Sequence, residues 1–470
     1  MVSSALTEAS NSVNGASVPP TASRLLDLIP EVFSRVCDYL GDKDLINIRQ
    51  ACRIANNKSY FTFGSRFFQS LEVCMHPLSL NEFLEISGHT ELSKHVKKVV
   101  VYLKNVNKAY KKWSSGLDDS DNFAEGEEPQ YFQDLLRLQQ DMYIHFEDLT
   151  CLTESFKRLE GLDALRITDD DWNGFGTDAK LPFTRHPISC GIDKLLTPAL
   201  DSWGILLESD PTRACHHVAT AIQALEISGL TPHLTFDLWN IDQDQDDQMV
   251  HLFNSESMKR ALPRLRVAVV KVDRELTWQI RLLEHSVHLR ELKFFGVGPN
   301  VTQSALPLLN RYRWARLKVL MLSELSIASG PLIELLSTHN QSLQELEFSH
   351  SKIVGDSPIR VFDVIQALPK IRRLTLICVE ADPVETITSD DFSRYEGCLG
   401  YDDEVLEVEG QQLTPSLSTL VKDYRTKHMW ENTHFIDTRK ARAVSEGYVV
   451  FDGITWSDTD AFKDLITQTD

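Results

Sequence analysis

Leu289-Arg-Glu-Leu292-Lys-Phe294, Leu317-Lys-Val-Leu320-Met-Leu322, Leu343-Gln-Glu-Leu346-Glu-Phe348 and Ile371-Arg-Arg-Leu374-Thr-Leu376 are four copies of one pattern, apolar-x-x-apolar-x-apolar. Their first residues stand at 289, 317, 343 and 371, so the copies lie 28, 26 and 28 residues apart. Self-similarity at this period marks an array of stacked units. Between the copies, apolar residues recur at helical spacing: Ala305, Leu306, Leu308, Leu309 and Tyr312, then Leu332, Ile333, Leu335 and Leu336, then Phe362, Ile365 and Leu368. Each unit therefore reads as strand, loop, helix and return, an α/β repeat. A single unit cannot bury both its strand and its helix face, so neighbours must stack.

The pattern resembles the leucine-rich repeat, which implies a solenoid, or horseshoe, with an extended recognition surface. Upstream matches begin at Leu262, Ile222, Leu162 and Val96, at wider spacings that require insertions. At one unit per about 20–29 residues, seven to ten repeats are expected over residues 73–395. Two polar insertions, 111–130 and 241–247, read as solvated loops. The acidic run in the second lacks the turn glycine and closing glutamate of a calcium loop.

Composition bounds the class. The chain has 470 residues, 42% hydrophobic, and a formal charge of −20. That charge argues against nucleic-acid and anionic-membrane partners. No apolar run reaches the roughly 18 residues of a membrane span. Residues 1–22 have no basic start or apolar core and read as a disordered tail, not a secretory signal. Eight scattered cysteines without a Cys-x-x-Cys pair imply reduced thiols, in cytoplasm or nucleus. No phosphate loop, nucleophile elbow or zinc-helix motif occurs. Cys215, His216 and His217 cluster without a second ligand pair, so they read as a polar segment. No catalytic residue, metal or cofactor is expected.

Residues 23–53 contain a helix begun by Pro30, a break at Gly41, and a second helix that Asp44 is placed to cap. This stretch resembles an F-box. Leu28, Glu31, Val32, Phe33, Val36, Tyr39, Leu40, Asp44, Leu45, Arg49, Cys52 and Arg53 match that family's pattern in order. Ile29 stands where the family's proline usually stands, and Pro30 follows it. The resemblance covers about residues 24–70 and implies an all-α F-box at 23–72. It further implies binding to a Skp-type adaptor and thereby to a cullin. Carried over by position, Leu28, Ile29, Pro30, Glu31, Val32, Leu40 and Leu45 would form the adaptor face, the alternative being that some are the module's own core.

An F-box followed by leucine-rich repeats is similar to the plan of fungal substrate receptors of Skp–cullin–F-box ubiquitin ligases. The implied role is non-catalytic recognition of an unknown protein substrate; an F-box scaffold without ubiquitination shares every one of these features. Alternation along the strands would display Arg264, Arg266, Glu291, Lys293, Phe295, Val319, Met321, Glu345, Glu347, Arg373 and Thr375 on the concave face. Among them Arg264, Arg266, Lys293, Phe295 and Arg373 are candidate substrate contacts, the alternative being salt bridges with neighbouring glutamates. Residues 396–470 break the period and read as a cap or tail.

Overall fold

The computed structural model describes residues 24–106, 130–169, 188–190, 207–209, 211–238, 241, 246–272, 277–296, 306–307, 309–355, 358–377, 380–383, 405–409 and 450–452. The chain divides into two compact units, the first ending its main segment at Phe67 and the second beginning at Phe68. The boundary precedes the expected one at residue 72, because Ser70–Cys74 is already a strand of the main sheet.

The first unit is all helical: α1 (Arg24–Asp27), α2 (Pro30–Asp38), α3 (Asp42–Ala51), α4 (Arg53–Lys58) and α5 (Tyr60–Phe67). Pro30 opens α2, where its missing N–H costs nothing. Gly41 stands at the N-cap of α3, and Asp42 and Asp44 lie in its first turn against the positive helix end. Asp44 is thus inside the helix, not its cap. The Cys52 sulfur accepts the Ala55 N–H and starts α4. Phe33, Cys37, Leu45 and Ala55 form the core, with Leu28, Leu40, Ile48, Phe63 and Phe67 packed around it.

Polar side chains tie the helices. Arg66 donates to the carbonyls of Leu40 (2.6 Å), Cys37 (3.1 Å) and Asp38 (3.0 Å), satisfying the C-terminal end of α2. Lys58 donates to the carbonyls of Leu26 (2.6 Å) and Leu28 (2.5 Å). The Arg49 guanidinium lies 3.8 Å over the Phe63 ring.

In the second unit, strands β1 (Ser70–Cys74), β2 (Lys98–Tyr102), β4 (Ala164–Thr168), β7 (His233–Leu238), β8 (Leu265–Val272), β9 (Glu291–Gly296), β10 (Val319–Ser323), β12 (Glu345–Ser349) and β14 (Arg373–Ile377) pair in chain order, all parallel. The short β5 (Ile188–Ser189) adds to β1. At the other edge β16 (Val405–Glu409) and β17 (Val450–Asp452) continue the sheet antiparallel. Of the remaining strands, β3 (Lys104–Val106) pairs with β6 (Leu207–Ser209). A second parallel sheet joins β11 (Ser326–Ala328), β13 (Lys352–Gly355) and β15 (Glu380–Pro383). The order strand, short strand, helix recurs through α6 (Ser329–Thr338) and α7 (Pro358–Gln366), which makes an α/β repeat.

One column of side chains crosses the nine strands from β1 to β14: Val73, Val101, Ile167, Phe236, Ala268, Leu292, Leu320, Leu346 and Leu374, each at most 1% exposed. Leu332, Leu335 and Leu336 of α6, and Phe362 and Ile365 of α7, are buried too, as their spacing requires. Ser351 stitches two units together. Its hydroxyl accepts the Leu325 N–H at 3.3 Å and lies within hydrogen-bond distance of the Ser349 carbonyl (2.8 Å) and the Leu322 carbonyl (3.2 Å).

One expected strand is a helix. Ile222-Gln-Ala-Leu225-Glu-Ile227 lies inside Pro211–Ser228. Ala214, Val218, Ala221, Ile222 and Leu225 are buried on one face at helical spacing, and Gly229 at φ +73° ends the helix. The strand of that unit is β7, whose Leu234, Phe236 and Leu238 alternate inward. The matches at Val96, Leu162 and Leu262 do lead into β2, β4 and β8. Most of the insertion 111–130, residues 242–245 of the other, and the tail's Trp430, Phe435, Tyr448, Val449 and Trp456 lie outside the described residues.

Candidate functional site

Helix α2 has apolar residues on two sides. Phe33 and Cys37 point into the core at 0% exposure. Ile29, at its N-cap, Val32 and Tyr39, just past its end, are exposed by 61%, 41% and 92%. Val32 and Tyr39, seven residues apart, fall on one helical stripe, and Ile29, extended at the N-cap, stands exposed at the helix start. Ile54 of α4 and Phe61 of α5 are also exposed in this small unit. A helix that is apolar on both sides is normally buried on both sides. Here one side meets solvent, and clustered exposed apolar residues of this kind mark interaction surfaces.

The seven residues assigned to an adaptor face separate into two groups. Ile29, Pro30, Glu31 and Val32 are exposed at the start of α2. Leu28 and Leu40 are half-buried against the core, and Leu45 is wholly inside it. Leu45 is therefore a correction: it supports the surface from within and offers no contact area. Tyr39, Ile54 and Phe61 were not among the seven. Tyr39 was legible, seven residues after Val32 on the same stripe.

The open sheet face has two rows in register. One is Val267, Glu291, Val319, Glu345 and Arg373; the other is Val269, Lys293, Met321, Glu347 and Thr375. Most of these are half-buried; Val269 and Thr375 are buried. Lys293 pairs with Glu291 at 3.1 Å. Arg264 departs from its expected place. It ends a tight turn, Leu262–Arg264, before the strand, and donates to the Leu230 carbonyl at 2.8 Å. Arg266 sits where the register between β7 and β8 shifts, and donates to the His288 carbonyl at 3.0 Å. Phe295 is buried and does not project as a contact.

The histidine pair belongs to a polar cluster that is buried at Asp148 and His217 and partly open at His216. His216 and the wholly buried Asp148 are 2.7 Å apart. His217 lies 2.8 Å from the Tyr143 hydroxyl and 3.3 Å from the Leu103 carbonyl. Burial, with His216 alongside, holds His217 down at about 3, so it stays neutral. Burial likewise pushes the Tyr143 hydroxyl up. Neutral His217 donates to Leu103 through Nδ1 and accepts from Tyr143 through Nε2. Such fully used hydrogen bonds fasten helices to strand ends. Among the described residues no group of three His, Cys, Asp or Glu is arranged to hold a metal ion. No described helix is long and apolar enough to cross a membrane.

No family model matches the chain, and no curated protein does. Among solved structures, a complex of Rad7 and Elc1 in yeast matches at 12% identity and a TM-score of 0.28. That match covers 73% of this chain and 86% of the other. A superposition at that score fixes no function, so the chain's own residues have to carry the assignment.

Proposed function

We propose that this chain is the substrate-recognition subunit of a Skp–cullin–F-box type ubiquitin ligase. In this reading the helical unit is an F-box that docks a Skp-type adaptor, and through it a cullin. The α/β repeat is a leucine-rich-repeat solenoid that takes a protein target. The chain itself carries no catalytic residue and works in cytoplasm or nucleus. The observation that carries the reading is the set of exposed apolar residues along α2, Ile29, Val32 and Tyr39, left in solvent by a unit whose core is complete without them. The ordered F-box pattern over the same residues supports it.

The test is co-purification of the full-length chain with a Skp-type adaptor and a cullin. Wild type is expected to retain both. The variant Ile29→Ala, Val32→Ala, Tyr39→Ala is expected to lose the adaptor, since truncated interface anchors cost about 1–4 kcal/mol each, and to keep its melting temperature. An adaptor bound without a cullin would favour the scaffold reading. Wild type that binds no adaptor would end the F-box assignment.

A further inference from the structure

Each late strand is led in by an aliphatic residue turned toward the core, and the residues on either side of it are mostly basic. The triplets are Arg264-Leu265-Arg266, His288-Leu289-Arg290, Arg316-Leu317-Lys318, Ser342-Leu343-Gln344 and Lys370-Ile371-Arg372. The four leucines are buried and Ile371 is half-buried. Four of five units carry the basic flanks, in a chain whose net charge is −20. The structure puts them side by side. Arg290 N–H donates to the Arg266 carbonyl at 2.8 Å, Lys318 to Arg290 at 2.7 Å, Gln344 to Lys318 at 2.8 Å, and Arg372 to Gln344 at 2.6 Å. Residues 266, 290, 318, 344 and 372 are therefore neighbours along one end of the sheet. With strands about 4.8 Å apart, four steps span about 19 Å.

Arg290, Arg316, Lys318, Lys370 and Arg372 are exposed. None of the five makes an ion pair with a carboxylate among the described residues. Of the strand acids beside the row, Glu291 is engaged by Lys293 at 3.1 Å, and Glu345, whose N–H donates to the Lys318 carbonyl, is half-buried and makes no ion pair with these cations. Arg264 and Arg266 at the start of the row are held by the Leu230 and His288 carbonyls. The Arg266 guanidinium is lowered by burial and then by the positive charges of Arg290 and Arg316, so the cations feel one another. Stacking like charges costs stability unless an anion shares the field.

We propose that this row of Arg266, Arg290, Lys318 and Arg372, with Arg316 and Lys370 two residues before Lys318 and Arg372 in sequence, is a docking belt for an acidic, extended protein segment. At about 3.3 Å per residue, some six residues cross it. Arginine grips carboxylates bidentately, which suits side chains of Asp and Glu presented along such a segment. A nucleic acid is disfavoured, because a long polyanion would also meet the field of the remaining, strongly acidic chain. The proposal does not depend on the F-box reading; it concerns a different surface and a different partner.

The experiment is fluorescence anisotropy of a labelled oligoglutamate peptide with the full-length chain, at low and at physiological salt. Oligoglutamine and a single-stranded oligonucleotide of equal charge are the controls. Wild type should bind oligoglutamate saturably and lose affinity as salt rises. The variant Arg290→Glu, Lys318→Glu, Arg372→Glu should bind about tenfold or more weakly. Its thermal melt should be no lower than that of wild type, because all three side chains are exposed and their reversal relieves the like-charge repulsion, and adaptor co-purification should persist. A folded variant that binds oligoglutamate as wild type does would overturn the belt. So would wild type that does not bind it. Oligonucleotide binding as tight as peptide binding would overturn the choice of occupant.

Discussion

Leu45→Ala and Val32→Ala remove carbon from opposite sides of the helical unit, and the two should behave differently. Leu45 is 0% exposed and packs with Phe33, Cys37 and Ala55. Truncating a buried leucine costs about 2–5 kcal/mol, transfer plus cavity. The unit has roughly 44 residues, so its whole stability is about 2–7 kcal/mol. Leu45→Ala should therefore leave it largely unfolded within an otherwise intact chain. Val32 is 41% exposed at the start of α2, and its truncation should cost no more than about 0.5 kcal/mol. Hydrogen exchange over residues 24–67 in the full-length chain reads the difference, with β9 to β12 as internal reference. Leu45→Ala should lose amide protection in the unit alone, and Val32→Ala should keep it. Both should weaken adaptor binding, the first by unfolding the surface and the second by removing a contact. Unchanged protection in Leu45→Ala, or equal loss in both variants, would refute this division into core and face.

In the array, Leu320→Asp puts a charge into the continuous buried column and should cost several kcal/mol, whereas Met321→Ala, half-buried on the open face, should cost under about 1 kcal/mol; denaturant midpoints compare them. Ser351→Ala leaves the Leu325 N–H without its acceptor and should cost about 1–3 kcal/mol by the same measurement. The fold should also be sensitive to acid. His217 and His76, the buried N-cap of the helix Pro77–Gly88, are held down at about 3 and about 4, in both cases chiefly by burial. The unfolded chain then binds protons that the folded chain does not. Stability is full above the ordinary histidine value of about 6.5 and falls as pH drops toward 4, by up to about 1.4 kcal/mol per pH unit for each group. Melting temperatures from pH 7 to pH 4.5 should decline, and His217→Gln should flatten the slope; a decline of the same steepness in that variant would assign the effect to other groups.

The late units were legible because the strand pattern and the helix pattern alternate at a fixed period, and both must hold at once. Leu292, Leu320, Leu346 and Leu374 fall opposite one another in the paired strands, which the spacing of 28, 26 and 28 residues requires. The failure at Ile222 has a physical cause. Apolar residues at i, i+3 and i+5 satisfy the strand template, but i and i+3 also share a helical face. Buried Ala214, Val218 and Ala221 extend the helical reading backward, and Gly229 closes it. The strand β7 was hidden because the place of its leading leucine is taken by Thr231, with Pro232 after it. β1 does carry the pattern, as Phe68-Gln-Ser-Leu71-Glu-Val73, 28 residues before the copy at Val96, and pairs with it in that register; the expected bound of the helical module at residue 72 cuts through it.

The candidate surfaces were legible to different degrees because exposure is decided by packing, not by residue type. Leu45 and Val32 are both apolar members of one motif, yet α3 turns the first inward and α2 leaves the second outside. Phe294 and Phe295 are adjacent, so alternation places one on each face, yet both are buried. Arg264 reads as a strand residue until Pro263 is weighed; a proline there favours the tight turn Leu262–Arg264, and the guanidinium then reaches back to Leu230. The basic row is the opposite case. Its residues flank the inward aliphatic position, where a reading confined to alternating strand faces does not look. Only the ladder from Arg266 to Arg372 shows that four separate sequence neighbourhoods make one surface. A repeat turns a residue preference within each unit into a continuous chemical stripe across units, so the stripe's charge is a property of the array that no single unit possesses.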